Sequence, residues 1–214
     1  SFMVSPAVRL SRQYNAATVK TPNRDQQSML DTSEENRRRH PLDPHQPVWL
    51  FGYGSLIYKA DFPFLERRPA TIRGWTRRFW QGSHDHRGTP DSPGRVVTLI
   101  PSPGALCTGM AYRITPDVFE HLDHREKNGY LRFRTPLTFA GGDQADGLVY
   151  IATEDNAAFL GQADEVQIAQ HIANSHGPSG SNRDYLLQLA QALRELDAID
   201  EHVFRIERFL LESG

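Results

Sequence analysis

Apolar residues fall in short runs and alternations along the middle of the chain, then at helical spacing toward its end. Val48-Trp49-Leu50-Phe51 is an uninterrupted apolar run of the kind that forms a buried strand. Further strands are predicted over residues 70–75, 95–101 and 106–113, with Gly and Pro punctuating them. Leu131-Arg132-Phe133-Arg134 opens an alternating strand that resumes at Leu137 and Phe139, and residues 147–153 form another after the turn at Gly141-Gly142. One short helix interrupts the strands: Thr115 is its expected N-cap, Pro116 its first position, and Val118, Phe119 and Leu122 its apolar stripe.

The period then changes. Asp164 as N-cap with Gln167 three residues later opens a helix whose Ile168, Ala169 and Ile172 face inward, stopping by Gly177-Pro178. A second helix starts at Ser181 and repeats Tyr185, Leu189, Ala192, Leu193 and Leu196; a shorter third carries Val203, Ile206 and Phe209. Strands first and helices last predict an α+β fold, a small mixed β-barrel or curved sheet with helices packed outside, not a doubly wound sheet. Residues 1–46 show little apolar periodicity and end in Arg37-Arg38-Arg39-His40-Pro41 and Pro44-His45-Gln46-Pro47, so they are expected to be an irregular N-terminal extension, with one folded domain over 47–214.

Bulk properties narrow the function classes. A net charge of -2 over 214 residues gives no field that favours nucleic acid or an anionic membrane, which leaves small molecules as the default partner. Cys107 is the single cysteine, so the chain alone makes neither a disulfide nor a Cys-based zinc cluster, and a reducing compartment, the cytoplasm, fits best. No stretch approaches the roughly 20 apolar residues of a membrane span, and a soluble protein is expected. Residues 3–24 hold Arg9, Arg12, Lys20 and Arg24 without an acid, a composition weakly similar to a transit segment, although a polar tail of positive charge is the simpler reading. No sequence feature sets an oligomeric state.

The sharpest local feature is the apolar strand running into Gly52-Tyr53-Gly54-Ser55-Leu56. Glycines there permit positive φ and let backbone N–H groups approach an anion closely. The spacing is neither Gly-x-Gly-x-x-Gly nor a Lys-bearing phosphate loop, so an anion cradle and a mere glycine-rich strand end both stand. A second feature is Asp123-His124-Arg125-Glu126-Lys127 before an Asn128-Gly129 turn, which taken by itself reads as a solvated helix end sooner than as a site. His84, Asp85 and His86 would suggest a metal site on a strand, but Gly82, Gly88 and Pro90 make the segment a loop, and no metal is expected.

Taken together these runs resemble the ChaC family of γ-glutamylcyclotransferases. The resemblance rests on Phe51-Gly52-Tyr53-Gly54-Ser55-Leu56, Arg78-Phe79-Trp80-Gln81, His86-Arg87-Gly88, Gly94-Arg95-Val96-Val97-Thr98, Arg125-Glu126 with Gly129-Tyr130, Tyr150-Ile151-Ala152, and Gly177-Pro178-Ser179-Gly180 with Asn182. In this order and spacing the motifs are specific, and they span roughly residues 49–196. The resemblance implies a γ-glutamylcyclotransferase-like fold and cofactor-free cleavage of glutathione into 5-oxoproline and cysteinylglycine. It implies Glu126 as catalytic acid/base and Tyr53, Gly54, Ser55, Leu56, Ile57, Tyr58 and Tyr150 as substrate-binding residues. Ser55 is not expected to act as a nucleophile, because the substrate carries its own. Arg78, Arg87 and Arg95 would either pair with a substrate carboxylate or brace the loops, bracing being the favoured reading. Cyclisation of other γ-glutamyl compounds, and a non-catalytic sensor of small anions, are the alternatives.

Overall fold

The computed structural model describes residues 31–127 and 129–213. The basic stretch within residues 3–24 and Asn128 lie outside them. Among the described residues the chain forms α1 (Ser33–Arg39), β1 (Val48–Gly52), one 3-10 turn (Ser55–Ile57), β2 (Glu66–Ser83), β3 (Gly94–Ile114), α2 (Val118–Arg125), β4 (Tyr130–Phe139) and β5 (Gln144–Ala152). It continues with α3 (Glu165–Ala173), the two-residue strands β6 (His176–Gly177) and β7 (Gly180–Ser181), α4 (Asn182–Glu195) and α5 (Glu201–Glu212). No helix among them is long and apolar enough to cross a membrane.

The five long strands close into a barrel in the order β1-β3-β2-β4-β5. All neighbours are antiparallel except β1 and β5, whose parallel pairing of Trp49 with Gly147 and Leu50 with Leu148 seals the wall. That central position explains why β1 is an unbroken apolar run: Leu50 and Phe51 are fully enclosed, with Ile72, Leu99, Leu137 and Val149 in the same core. Closure removes most of the edge that a flat five-stranded sheet would expose, the start of β4 excepted.

Three boundaries depart from the sequence pattern for local reasons. The strands expected over 95–101 and 106–113 are one strand, β3, because residues 102–105 bulge out of register between the pairs Trp75–Pro101 and Arg73–Leu106, with Gly104 at φ +81°. The expected N-cap Thr115 instead begins a turn, accepting from the N–H of Val118 at 3.1 Å, and α2 starts only at Val118. The helix that starts at Asp164 ends at Ala173, short of Gly177-Pro178, because residues 176–181 turn back as the β6–β7 hairpin. The caps read from sequence do hold where side chains reach backbone: Asp164 accepts from Val166 N–H at 2.8 Å and Ser181 from Asp184 N–H at 3.0 Å. The extension is not irregular throughout, since Ser33–Arg39 is helical with its buried Asn36 turned onto β4.

Candidate active site

The turn after β1 is shaped by space more than by φ. Gly54 lies at φ -123°, and Gly52 is likewise outside the positive-φ residues, so the expected need for a left-handed conformation is not the reason for either glycine. A Cβ on Gly52 would stand 2.5 Å from the Cβ of Leu56, and one on Gly54 would stand 2.9 Å from the Tyr185 hydroxyl and 3.0 Å from Val97 Cγ2. The chain therefore folds back on itself here, and the 3-10 turn follows, with Ile57 N–H donating to Gly54 C=O at 3.0 Å. Among the described residues no acceptor takes the N–H groups of Ser55 or Leu56, as expected for the first positions of a helical turn. Those N–H groups are free for a ligand oxygen.

Buried polar groups hold the turn from behind. Arg77 points inward from β2 and donates to Tyr53 C=O at 2.6 Å, Thr108 C=O at 2.6 Å and Asp200 at 2.5 Å. The Tyr53 hydroxyl donates to Tyr150 C=O at 2.7 Å, and the Tyr112 hydroxyl to Leu56 C=O at 2.5 Å. Ile57 is buried in the core. Tyr58 is half-buried, with its hydroxyl enclosed close to Arg87, and burial pushes that hydroxyl up to about 12 although Arg87 and Arg125 oppose the rise.

Glu126 sits at the C-terminal cap of α2, its N–H donating to Leu122 C=O at 2.8 Å. Its side chain is 18 % exposed, and Arg125 Nε stands 3.3 Å from its Oε1. Burial raises its carboxyl to about 7; Arg125 opposes the rise, while Asp61 and Asp85 add to it. Arg125 also donates to Ser55 Oγ at 3.2 Å and to Asp61 at 2.5 Å, so one guanidinium joins the glycine turn to the carboxylate. Its negative charge is felt by the phenols of Tyr53 and Tyr130, both held well above their ordinary value chiefly by burial.

Residues 53–58 and Glu126 thus meet at one place. Tyr150 stands behind them: its hydroxyl donates to Asp123 at 2.6 Å and accepts from Arg132 Nε at 3.1 Å, so it is committed to a buried ion pair instead of facing Glu126. Asp123, three residues before Glu126, is bound to Arg132 with both side chains 2 % exposed. The three arginines of the motifs all make bracing bonds. Arg78 donates to Arg77 C=O at 2.7 Å, Arg87 to Ser181 C=O at 3.1 Å, and Arg95 to Phe79 C=O at 2.9 Å. His86 is exposed and pairs with Ser179 at 3.0 Å, and among the described residues no group of three or more His, Cys, Asp or Glu is placed to hold a metal ion. Sequence reasoning missed Arg77, Arg132 and Asn36. Arg77 and Asn36 depend on partners far along the chain, and Arg132, though only nine residues from Asp123, is buried with it only once α2 packs on β4; no local pattern marks them.

A polar cleft of about 200 Å³ opens elsewhere, between β2, β3 and the start of α5, and neither Glu126 nor residues 54–58 line it.

Comparison with known proteins covers the span in which these residues lie. A family model described as ChaC-like protein matches residues 48–213. The chain is 47% identical over 168 residues to "Gamma-glutamylcyclotransferase 2-3" of Arabidopsis thaliana, covering 73% of this chain and 84% of that protein. It is 42% identical over 176 residues to "Glutathione-specific gamma-glutamylcyclotransferase 1" of Danio rerio, covering 78% and 90% respectively. A crystal structure of a γ-glutamyl cyclotransferase specific to glutathione from yeast superposes with a TM-score of 0.74 at 34% identity, over 78% of this chain and 97% of that one.

Proposed function

This chain belongs to the ChaC-like family, and from that premise we propose that it is a γ-glutamylcyclotransferase that degrades glutathione, with Glu126 as its proton-transfer group. Its closed barrel with outer helices is the γ-glutamylcyclotransferase fold. In this reading residues 47–214 are the catalytic domain and residues 1–46 an extension. The single buried cysteine, Cys107, fits a reducing, cytoplasmic setting.

The reaction is a ring closure within one molecule. The α-amine of the γ-glutamyl group attacks the γ-carbonyl carbon, a new C–N bond closes 5-oxoproline, and the bond to the cysteinyl nitrogen breaks to release cysteinylglycine. Atoms balance without water. Because nucleophile and electrophile share one molecule, holding a near-attack conformer supplies several kcal/mol, and no cofactor is needed. The remaining task is a proton: the amine arrives as an ammonium, and the departing nitrogen must leave as an amine. One carboxylate serves both ends by taking the proton from the first nitrogen and delivering it to the second. The observation that carries the proposal is the Glu126 carboxyl at about 7, joined through Arg125 to the turn whose Ser55 and Leu56 N–H groups are unclaimed. Those N–H groups, aimed at the γ-carbonyl oxygen, stabilise the charge that develops there. Ser55 contributes its backbone, and its hydroxyl is occupied by Arg125.

The test is to incubate chelator-treated protein with glutathione and measure 5-oxoproline and cysteinylglycine, beside Glu126→Gln. Turnover by the parent and a loss of about 10²-fold or more in the variant are expected. Full activity in Glu126→Gln overturns its role, turnover of other γ-glutamyl compounds in place of glutathione redirects the substrate, and turnover of neither favours an anion sensor.

A further inference from the structure

At the start of β4 the barrel wall has an open edge. β2 reaches β4 only where Ala70 and Thr71 pair with Phe139 and Thr138, so the backbone of residues 130–132 meets no strand on that side. Side chains from the segment upstream of the family-matched region fill the gap. Asn36 accepts from Arg132 N–H at 2.8 Å through Oδ1 and donates to Tyr130 C=O at 2.9 Å through Nδ2, the pair of bonds a neighbouring strand would make. Asn182 likewise accepts and donates through its amide at another place in the fold, there on the N–H and C=O of the single residue Arg95, both at 2.7 Å.

The neighbours of Asn36 extend the clamp. The Thr32 hydroxyl donates to Tyr130 C=O at 2.7 Å and its N–H to Lys127 C=O at 3.0 Å; Ser33 Oγ donates to Asp123 C=O at 3.2 Å. His40 Nε2 lies 3.1 Å from Arg132 C=O. The anchored residues are 123 and 127 on the α2 side and 130 and 132 on the β4 side, and Glu126 lies between them. Glu126 C=O accepts from Tyr130 N–H at 3.2 Å, so the residue that Asn36 and Thr32 hold is also bonded to the backbone of the carboxylate. Asn36 is 0 % exposed on a seven-residue helix whose other side chains are mostly charged, so α1 docks through this polar fork and not through an apolar stripe.

We propose that residues 32–40 are a positioning strap for Glu126, with Asn36 as its positioning residue. This inference rests on the assignment of Glu126 above. Among the described residues no hydrogen bond or ion pair joins a strap side chain to the Glu126 carboxylate; the strap acts by fixing the backbone on both sides of the turn that presents it. A displacement of that turn by about 1 Å suffices to cost on the order of 10² in rate.

Steady-state kinetics with glutathione on Asn36→Ala and Thr32→Val, beside the parent and Glu126→Gln and well below each melting temperature, tests it. In Asn36→Ala, kcat falls by about ten- to a hundredfold while KM stays within about threefold, because the strap holds the acid/base group and not the substrate. The acid limb of kcat/KM moves to lower pH, since a loosened turn admits water to a carboxylate that otherwise faces Arg125, Asp61, Asp85 and the phenols of Tyr53 and Tyr130. Thr32→Val is nearly isosteric and keeps the Asn36 fork; it shows the same pattern at smaller amplitude and decides the matter if Asn36→Ala fails to fold. Parental kcat and acid limb in the folded variants, with only a lowered melting temperature, overturn the strap. If Glu126→Gln turns over glutathione normally, the Glu126 assignment itself falls; if it is inactive while the strap variants match the parent, the strap alone falls.

Discussion

Glu126 carries two opposed demands. A carboxyl near 7 is poised to exchange protons at neutral pH, but the burial that raises it also makes its ionised form costly in the folded state. Because the folded value lies above the ordinary 4.5, the folded protein binds one more proton than the unfolded chain between about 4.5 and 7, and stability falls as pH rises through that window. Glu126→Gln removes the penalty. Urea melts are expected to show the variant equal to the parent below pH 4.5 and more stable by on the order of 1–3 kcal/mol above pH 7, with Arg125 still paired to Asp61. A variant whose stability parallels the parent at every pH would mean that the carboxyl is not held high. In the parent, kcat/KM for glutathione is expected to climb through pH 7 as the base form fills. The identity of this residue was legible only from its motif. The chemistry it would perform calls for a carboxyl raised by burial, and burial is the main cause of the rise; the added pushes from Asp61 and Asp85, far from it in sequence, were not legible.

The element proposed to bind substrate is the β1 strand with its following turn. The apolar run announced the strand, and the two glycines announced a special turn, but the stated reason for the glycines was incomplete. What they avoid is collision, Gly52 with Leu56 and Gly54 with Tyr185 and Val97, which only the packed fold reveals. Gly54→Ala is therefore expected to push the turn away from α4 and lower kcat/KM roughly ten- to a hundredfold by moving the free N–H groups. Adding Tyr185→Phe, which deletes the hydroxyl 2.9 Å from the new methyl, is expected to restore part of the loss. If the double variant is no better than the single one, collision with Tyr185 is not the cause. Arg77 belongs to the same element's support, since a guanidinium buried in the wall of β2 fixes Tyr53 C=O immediately before Gly54.

Across the whole molecule, a buried ion pair fastens α2 to the barrel. Asp123 on α2 meets Arg132 on β4 and the Tyr150 hydroxyl on β5, and the pair lies beside the face of Phe119. Asp123→Asn leaves the Arg132 guanidinium buried without its counter-charge and is expected to destabilise the fold by about 3–5 kcal/mol in denaturant melts. The folded fraction should still turn over glutathione with the parental acid limb, because Asp123 is bonded to Arg132 and Tyr150 and not to Glu126. A lost acid limb with unchanged stability would instead make Asp123 the proton-transfer group.

The α+β class, the strand-then-helix order and the helix starts at Asp164 and Ser181 followed from the sequence alone, because apolar period and capping chemistry act over a few residues. The motifs of the glycine turn and of Glu126 were likewise readable as a resemblance. Closure of the barrel by β1 against β5, the joining of turn and carboxylate through Arg125, the withdrawal of Tyr150 into the Asp123–Arg132 pair and the docking of Asn36 on β4 were decided only in three dimensions. Each depends on partners tens of residues apart. Their energies come from desolvation and hydrogen-bond geometry that exist only once the chain has packed.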